Sequence, residues 1–382
     1  MDFKYSEEQI GLQDTLRRFI AKNYSFEQRR TLAKSEPGYS RDHWRSLADI
    51  GILALPFAEE FGGLGGNAVD TMLVMEQLGR GLVLEPYLAT IVLCGSLIRD
   101  LGVAAQREQL LSAIAGGRLL LALAHYESGG RYELGRVATR AQREGDAWLL
   151  NGTKGVVLAG PWADKLIVSA RTSGEVNSDH GISLFLVDRN ARGLGLSPYP
   201  TQDGSRAADL RLDAVMVDAS ALVGTVDTAL PALTRAIDYA IAALCAEAVG
   251  IMGAVNEATL EYLKTRKQFG QPIGRFQALQ HRMVDMVVAT EQARSMATLA
   301  AVHADSRDAA QRRRSVSAAK AYIGQQARAV GQQAVQLHGG MGVVDELNIA
   351  HYFKRLTMIN VSFGDADHHL GLFSDMLLAE VA

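Results

Sequence analysis

The stretch Arg266-Lys-Gln-Phe-Gly-Gln-Pro-Ile-Gly-Arg-Phe-Gln277 lies between two long segments whose apolar residues recur at helical spacing. A second stretch, Gln336-Leu-His-Gly-Gly-Met-Gly342, follows the end of the next helical segment. Taken alone, an Arg-x-x-Phe-Gly sequence is most often a helix end, and a Gly-Gly pair is most often a loop. The two stretches in this order are far more specific than either one alone.

Helical periodicity surrounds both stretches. Residues 240–262, 276–304 and 315–337 each form a long apolar segment with helical spacing. Such helices are too apolar to be exposed, so we expect them to pack together as a four-helix bundle within residues 223–382. The most apolar stretch, residues 236–255, contains Asp238 and Glu247, and it therefore predicts a buried helix rather than a membrane span.

The pattern upstream of residue 223 changes twice. Residues 119–222 contain short β-rich runs separated by turn sequences such as Asn151-Gly152, which predicts a β-barrel or sandwich domain. Residues 1–118 have mainly helical patterns, beginning with the capping-box pair Ser6 and Gln9. The sequence thus predicts an α+β fold in three domains: a helical domain (1–118), a β-domain (119–222) and a helical bundle (223–382).

Composition excludes several classes of function. The 382 residues carry 39 Lys+Arg and 42 Asp+Glu, a formal net charge of −3, which argues against binding to nucleic acid or to a membrane surface. The two cysteines, Cys94 and Cys245, lack the spacing of a zinc site, and we expect no metal. The first residues lack the apolar core of a signal peptide, so we expect a cytoplasmic protein.

The two stretches together resemble the acyl-CoA dehydrogenase family, as does Pro56-x-x-Glu-Glu-Phe-Gly-Gly-Leu-Gly65 near the start. The helical–β–helical order is also that family's layout, and within the family the chain resembles the smaller-subunit type of heteromeric bacterial members. The resemblance implies FAD as cofactor and α,β-dehydrogenation of an acyl-CoA thioester. It also implies a tetramer and an electron-transferring flavoprotein as electron acceptor.

The resemblance also implies which residues bind FAD. Arg266 offers a fixed fork of donors for the pyrophosphate, and Phe269 offers an apolar face. In the family these residues reach FAD across a subunit interface, and the segment around Gln336 comes from the neighbouring subunit. The full set of expected cofactor residues is Arg266, Phe269, Gln277, Gln336, Gly339, Gly340, Glu127 and Leu158.

The β-domain departs from the family pattern on the flavin side. Residues 126–133 match the usual Thr-Glu-Pro signature only at Glu127 and at Gly129. Val156-Val157-Leu158 stands where the family has Trp-Ile-Thr, so the hydroxyl expected at position 158 is missing. Backbone donors do not depend on side chains and could still serve the flavin ring.

The catalytic base is the larger departure. Phe363 occupies the position of the usual glutamate in the loop after the last long helix, and Ala240 occupies the alternative position on an earlier helix. Neither side chain can accept a proton. Glu247 and Asp365 are the weak candidates for a relocated base, whereas Asp238 is expected on the wrong face of its helix.

Three functions remain open from the sequence. The first is a subunit of a heteromeric acyl-CoA dehydrogenase whose partner carries the base, acting on fatty or steroid-derived acyl chains. The alternative is a self-sufficient homotetramer with Glu247 or Asp365 as base. Relatives with other roles, including oxidases and a DNA-associated branch, form a third possibility. His368 and His369 are expected to contact the cofactor edge rather than a metal.

Overall fold

The computed structural model describes residues 4–381, and it is helical with one large mixed sheet. Its α-helices are α1 (Glu7–Asn23), α2 (Phe26–Lys34), α3 (Arg41–Asp49), α4 (Ala68–Gly81), α5 (Ser96–Leu101), α6 (Ala104–Gln106), α7 (Ser112–Ala115), α8 (Leu230–Thr265), α9 (Gln277–Ala304), α10 (Ala309–His338), α11 (Asn348–Val361) and α12 (Ala366–Val381). Its strands are β1 (Leu121–Ala124), β2 (Arg140–Glu144), β3 (Ala147–Leu158), β4 (Lys165–Arg171), β5 (Ile182–Asp188), β6 (Leu194–Pro200), β7 (Arg206–Asp218), β8 (Leu222–Val223), β9 (Lys267–Gln268) and β10 (Gln271–Pro272). The predicted α+β class is confirmed.

The chain forms two compact units. One contains the chain up to Thr31, Asn67–Val83 and the chain from Ile241 onward, and the other contains Leu32–Gly66 and Leu84–Ala240. This grouping crosses the linear boundaries at 118 and 222, and the three-domain division stays a prediction.

The helical unit is built around α10, which packs against α9, α11 and α12. Small side chains at the contacts allow close packing, and Ala297, Ala319 and Ala334 are buried. Where α4 meets α8, a Cβ on Gly79 would lie 2.3 Å from the Glu247 carbonyl oxygen, and one on Gly250 would lie 1.9 Å from that of Glu76. The backbones of α4 and α8 are therefore in direct contact, and this contact fixes the position of α8 around Glu247.

The other unit contains the eight-stranded sheet, with the strand order β6-β7-β3-β2-β4-β5-β8 and with β1 parallel to β4. Trp148, Leu150, Phe185 and Val187 belong to the core that the sheet buries. β3 and β7 pair along most of their length, and one extra residue on β3 between Lys154 and Val157 forms a β-bulge.

Helix α8 is long and apolar enough to cross a membrane by composition alone. However, 94% of its most apolar window is buried inside the protein. This burial confirms the predicted core helix.

Candidate functional site

The Arg266–Gln277 stretch forms a hairpin at the end of α8. β9 pairs antiparallel with β10, and Phe269 (φ 55°) and Gly270 (φ 78°) are the two residues of the turn. Positive φ at both positions is typical of a type I′ turn, which favours asparagine or glycine over an aromatic residue. Phe269 is nevertheless 90% exposed. An aromatic side chain that is both strained and exposed marks a binding surface.

A cation lies at the base of this hairpin. The Arg266 amide donates to the Tyr262 carbonyl over 2.9 Å, which closes the end of α8. The Arg266 side chain is exposed, and within residues 4–381 its guanidinium has no carboxylate partner. Gln277, the first residue of α9, is also exposed. Arg266 is therefore free to bind an anionic ligand.

The Gly-Gly loop lies beside the hairpin. Tyr262 stacks on His338 with ring centroids 4.3 Å apart, and its hydroxyl donates to the His338 carbonyl over 3.4 Å. The next residue, Gly339, has φ 58°, and a Cβ there or on Gly340 would meet nothing within 4 Å. Gln336 is exposed on the preceding turn. The structure thus brings the two stretches together and leaves the glycine backbone open.

Helix α2 holds the segment that follows this loop, a contact that the sequence did not reveal. Arg30 pairs with Asp345 at 3.0 Å, and the buried Arg29 donates to His351 Nδ1 over 3.2 Å. Since a guanidinium only donates, Nδ1 accepts and Nε2–H donates to the Asp345 carbonyl over 3.0 Å. Burial lowers the pKa of His351, and this favours the neutral form of the ring with the proton on Nε2. The partners are too distant in sequence for periodicity to connect them.

Glu127 lies inside the second unit. It accepts from Lys154 Nζ at 2.7 Å and from the amides of Ala138 and Thr139 at 2.7 and 3.0 Å. Burial alone would raise the pKa of Glu127, but the charge of Lys154 and these hydrogen bonds hold it below its usual value. Burial lowers the pKa of Lys154 to about 8 despite the attraction of Glu127. This pairing indicates that Glu127 shapes the 126–139 loop, and its role in binding the cofactor stays a prediction.

The bulge on β3 precedes Leu158. Val156 adopts φ 48°, which is rare for a β-branched residue. Its amide donates to Asp209 Oδ1 over 3.0 Å, and the Gly155 amide donates to the Tyr126 carbonyl over 2.9 Å. The bulge is thus tied to the loop that contains Glu127, while Leu158 pairs with Ala207 in the sheet.

The two candidate bases both have structural partners. Glu247 is 6% exposed, and its two oxygens accept from Arg355 at 2.6 and 2.7 Å, so proton uptake would break a bidentate ion pair. Asp365 Oδ1 accepts from the His368 amide at 2.9 Å, which caps α12. Phe363 lies half-buried in the 362–365 loop. The assignment of a base to either acid stays a prediction.

His369 is not placed where the sequence suggested. It is 0% exposed, and its ring nitrogens contact Ser317 Oγ at 3.2 Å and the Phe363 carbonyl at 3.1 Å. The expected contact of His369 with the cofactor edge is wrong, because both nitrogens are used inside the helical unit.

Comparison with known proteins identifies the class. Models of the N-terminal, middle and C-terminal domains of acyl-CoA dehydrogenases match residues 6–118, 122–215 and 230–378. The chain is 28% identical to the probable acyl-CoA dehydrogenase YngJ of Bacillus subtilis, over 96% of this chain and 97% of that protein.

Two solved structures extend the comparison. One is a variant of the Tcur3481-Tcur3483 steroid acyl-CoA dehydrogenase, 30% identical with a TM-score of 0.88 over 98% of this chain and 99% of that chain. The other is the ChsE4-ChsE5 complex of Mycobacterium tuberculosis, 27% identical with a TM-score of 0.89 over 99% of each chain.

The chain therefore belongs to the acyl-CoA dehydrogenase family, FAD-binding oxidoreductases that act on CH–CH bonds. The site fits this cofactor, since Arg266 supplies a cation for a diphosphate, Gly339 and Gly340 leave backbone open to a close ligand, and Phe269 offers an exposed ring. The family and the cofactor predicted from the sequence are confirmed.

Proposed function

We propose that this chain is the FAD-dependent subunit of a heteromeric acyl-CoA dehydrogenase and that a related subunit supplies the base. The observation that carries the proposal is the pair of inert residues, Phe363 and Ala240, at both positions where a base is expected. The bidentate bonds of Arg355 to Glu247 and the cap formed by Asp365 support it, because each substitute acid already has a structural role.

The chain's own residues would bind and orient the cofactor. When bound, FAD supplies the acceptor for the hydride that leaves the β-carbon of the acyl group. Arg266 would hold the diphosphate, and the open backbone at Gly339 and Gly340 would leave room for it. The buried pair of Lys154 and Glu127 holds the 126–139 loop, so that this loop is preorganised within its own unit.

An apolar surface supports association with another subunit. Val284, Val287 and Val288 on α9 are each more than two-fifths exposed, and Phe269 is almost fully exposed. Charged residues usually cover the outer face of a helix in a monomer, so this face fits a subunit interface. The similar structures with two named chains support a related partner rather than only a second copy.

The similarity to the family supports a proposal for the substrate class and for the electron acceptor. We propose an acyl-CoA with a fatty or steroid-derived side chain, since one similar structure is a steroid acyl-CoA dehydrogenase. We also propose an electron-transferring flavoprotein as acceptor and a cytoplasmic location.

The test compares the chain alone with the chain co-expressed with a related subunit. The proposal expects little flavin absorbance in the chain alone, and expects a yellow complex that an acyl-CoA bleaches after co-expression. A yellow homotetramer that an acyl-CoA bleaches without any partner would overturn the heteromeric assignment.

The alternative, a relocated base, is then tested by substitution. Asp365 lies only two residues from the expected position, which is the observation that keeps it in consideration. Asp365→Asn or Glu247→Gln would abolish bleaching if either acid is the base. Asp367→Asn is the matched control, because Asp367 is exposed on the same turn.

A further inference from the structure

The far end of the Gly-Gly loop, residues 339–345, is held at Asp345 by two partners. The carboxylate of Asp345 pairs with Arg30 at 3.0 Å. The backbone carbonyl of Asp345 accepts from His351 Nε2–H over 3.0 Å, and the same nitrogen lies 3.1 Å from Asp345 Oδ1. The side chain and the main chain of this residue are therefore both fixed.

Helix α2 also fixes the imidazole that holds Asp345. Arg29 is 3% exposed, and its guanidinium donates to His351 Nδ1 over 3.2 Å and to the Leu82 carbonyl over 3.1 Å. Because Nδ1 must accept, Nε2 carries the proton that reaches the loop. Phe26 packs edge-on against the same ring, with centroids 5.0 Å apart. These side chains of α2 belong to the same compact unit as the loop.

The start of the loop is held separately, by α8 and α10. Tyr262 stacks on His338 with ring centroids 4.3 Å apart. A Cβ on Gly342 would lie 2.4 Å from the Val335 carbonyl oxygen, so the loop backbone packs directly on α10. A Cβ on Gly340, between these contacts, would meet nothing within 4 Å. The loop is thus fixed at both ends and open between them.

The contact of Arg30 with Asp345 contributes little to the fold itself. Both side chains are partly exposed, and ion pairs of this kind add little to the free energy of unfolding. The pair nevertheless joins residues 315 positions apart and lies next to a buried arginine that acts on the same loop residue. A similarly exposed pair, Arg80 with Glu257, instead joins α4 to α8.

We propose that Arg29, Arg30 and His351 are positioning residues of the cofactor site. Through Asp345 they fix the Gly-Gly loop in the conformation that receives the FAD diphosphate. A loop that is already ordered loses less conformational freedom when a ligand binds, so contacts at α2 raise the affinity for FAD without touching it. This inference rests on the proposed function, in which the Gly339–Gly340 backbone leaves room for the diphosphate.

The first test reverses the charges of the exposed pair and measures the Kd of FAD for the apoprotein, with its partner subunit where assembly requires one. Arg30→Glu should raise the Kd about tenfold, because it places a carboxylate beside those of Asp345 and Glu346. Arg30→Glu with Asp345→Lys restores opposite charges and should return the Kd to within about twofold of the wild type. Arg80→Glu is the matched control, since it disrupts the pair with Glu257 and should leave the Kd unchanged.

The second test addresses the buried half of the anchor. His351→Gln keeps an acceptor for Arg29 and a donor for the Asp345 carbonyl, so its Kd should stay within about threefold of the wild type. His351→Phe keeps a ring beside Phe26 but loses both hydrogen bonds, and should raise the Kd about tenfold. A merely structural role would make the Kd follow the melting temperature of the apoprotein. Positioning instead predicts weaker FAD binding in Arg30→Glu, which should melt at the wild-type temperature.

A third variant separates this inference from the proposed function. Gly340→Val adds a side chain that meets nothing in the chain itself but occupies the space left for the diphosphate, so it should weaken FAD binding. If it does and Arg30→Glu does not, the positioning role is overturned and the proposed cofactor site stands. A reversed pair that binds FAD no better than Arg30→Glu alone also overturns it. Wild-type affinity in Gly340→Val would remove the glycine backbone from the cofactor site, and with it the basis of the inference. If His351→Phe does not fold, the exposed Arg30 variants still decide the question.

Discussion

At the scale of single residues, Arg171 is a buried charged side chain that forms hydrogen bonds to the backbone alone. It is 1% exposed and binds only carbonyl oxygens, and burial lowers its pKa. The five acceptors, at 2.7–3.3 Å, are the carbonyls of Gly135, Val137, Val176, Ser178 and His180. One guanidinium therefore joins the 126–139 loop to the β4–β5 connection.

Arg171→Met should lower the free energy of unfolding by about 3–5 kcal/mol, because it leaves five acceptors without their donor. Arg171→Lys should recover only part of this, since an ammonium has three donors for five carbonyls. Urea unfolding followed by tryptophan fluorescence measures both, with the exposed Arg140→Lys as control. Equal stability of Arg171→Lys and the wild type would contradict this account.

The sequence identified important residues without revealing their partners. It selected Phe363, Glu247 and Asp365 by their distance from the two motifs and by helical spacing, and their roles in catalysis stay predictions. Arg355, which binds Glu247, is 108 residues away, and no periodicity connects them. Lys320, buried on α10, is visible in the sequence pattern, because this charged residue interrupts the apolar side of the helix one turn after Val316.

At the scale of helices and strands, the crossing of α4 and α8 depends on two glycines. Gly250→Ala should destabilise the helical unit by about 1–3 kcal/mol, because the new Cβ would lie 1.9 Å from the Glu76 carbonyl oxygen. Gly253→Ala on the same helix is the matched control. Its Cβ would meet only the flexible side chain of Arg80 at 3.2 Å, so better helix propensity should raise stability by about 0.5–1 kcal/mol.

Thermal melts of the two glycine variants measure this difference directly. If Gly250→Ala melted at or above the temperature of Gly253→Ala, the close backbone contact would be ruled out.

Periodicity predicted long helices better than strands. The segment expected at 276–304 is α9 at Gln277–Ala304, and that expected at 315–337 is α10 at Ala309–His338. By contrast, the β-rich run Ala214-Val-Met-Val217 predicts only the end of β7, Arg206–Asp218, and no such run predicts β6. Strand β6 is largely exposed and contains two prolines, so it lacks the apolar alternation on which strand prediction depends.

At the scale of the whole molecule, buried neutral histidines predict sensitivity to acid. Burial lowers the pKa of His125 to about 4 and that of His369 to about 3, while an unfolded chain titrates near the ordinary value of about 6.5. Below pH 6.5 the unfolded state binds more protons, so stability falls by about 1.4 kcal/mol per pH unit for each histidine. Glu127, with its lowered pKa, acts in the same direction at lower pH.

Melting temperatures between pH 7.5 and 5 measure this effect. His369→Gln should flatten the pH dependence, whereas His281→Gln, which changes an exposed histidine, should leave the slope as it is. An unchanged slope in His369→Gln would mean that this ring is not neutral in the folded chain.

Assembly gives the sharpest prediction at this scale, because Phe269 contributes almost nothing to the isolated fold. Its side chain is 90% exposed, so Phe269→Ala should leave the melting temperature of the chain alone unchanged. In the assembled protein the same change should lower flavin content and weaken association, since the ring meets Phe276 edge-on with centroids 6.0 Å apart and is otherwise exposed to a partner. Leu64→Ala, at an apolar residue 59% exposed in the other unit, is the control. Gel filtration measures the association, and the ratio of visible to ultraviolet absorbance measures the flavin content. Full flavin content in Phe269→Ala would remove this residue from the cofactor site.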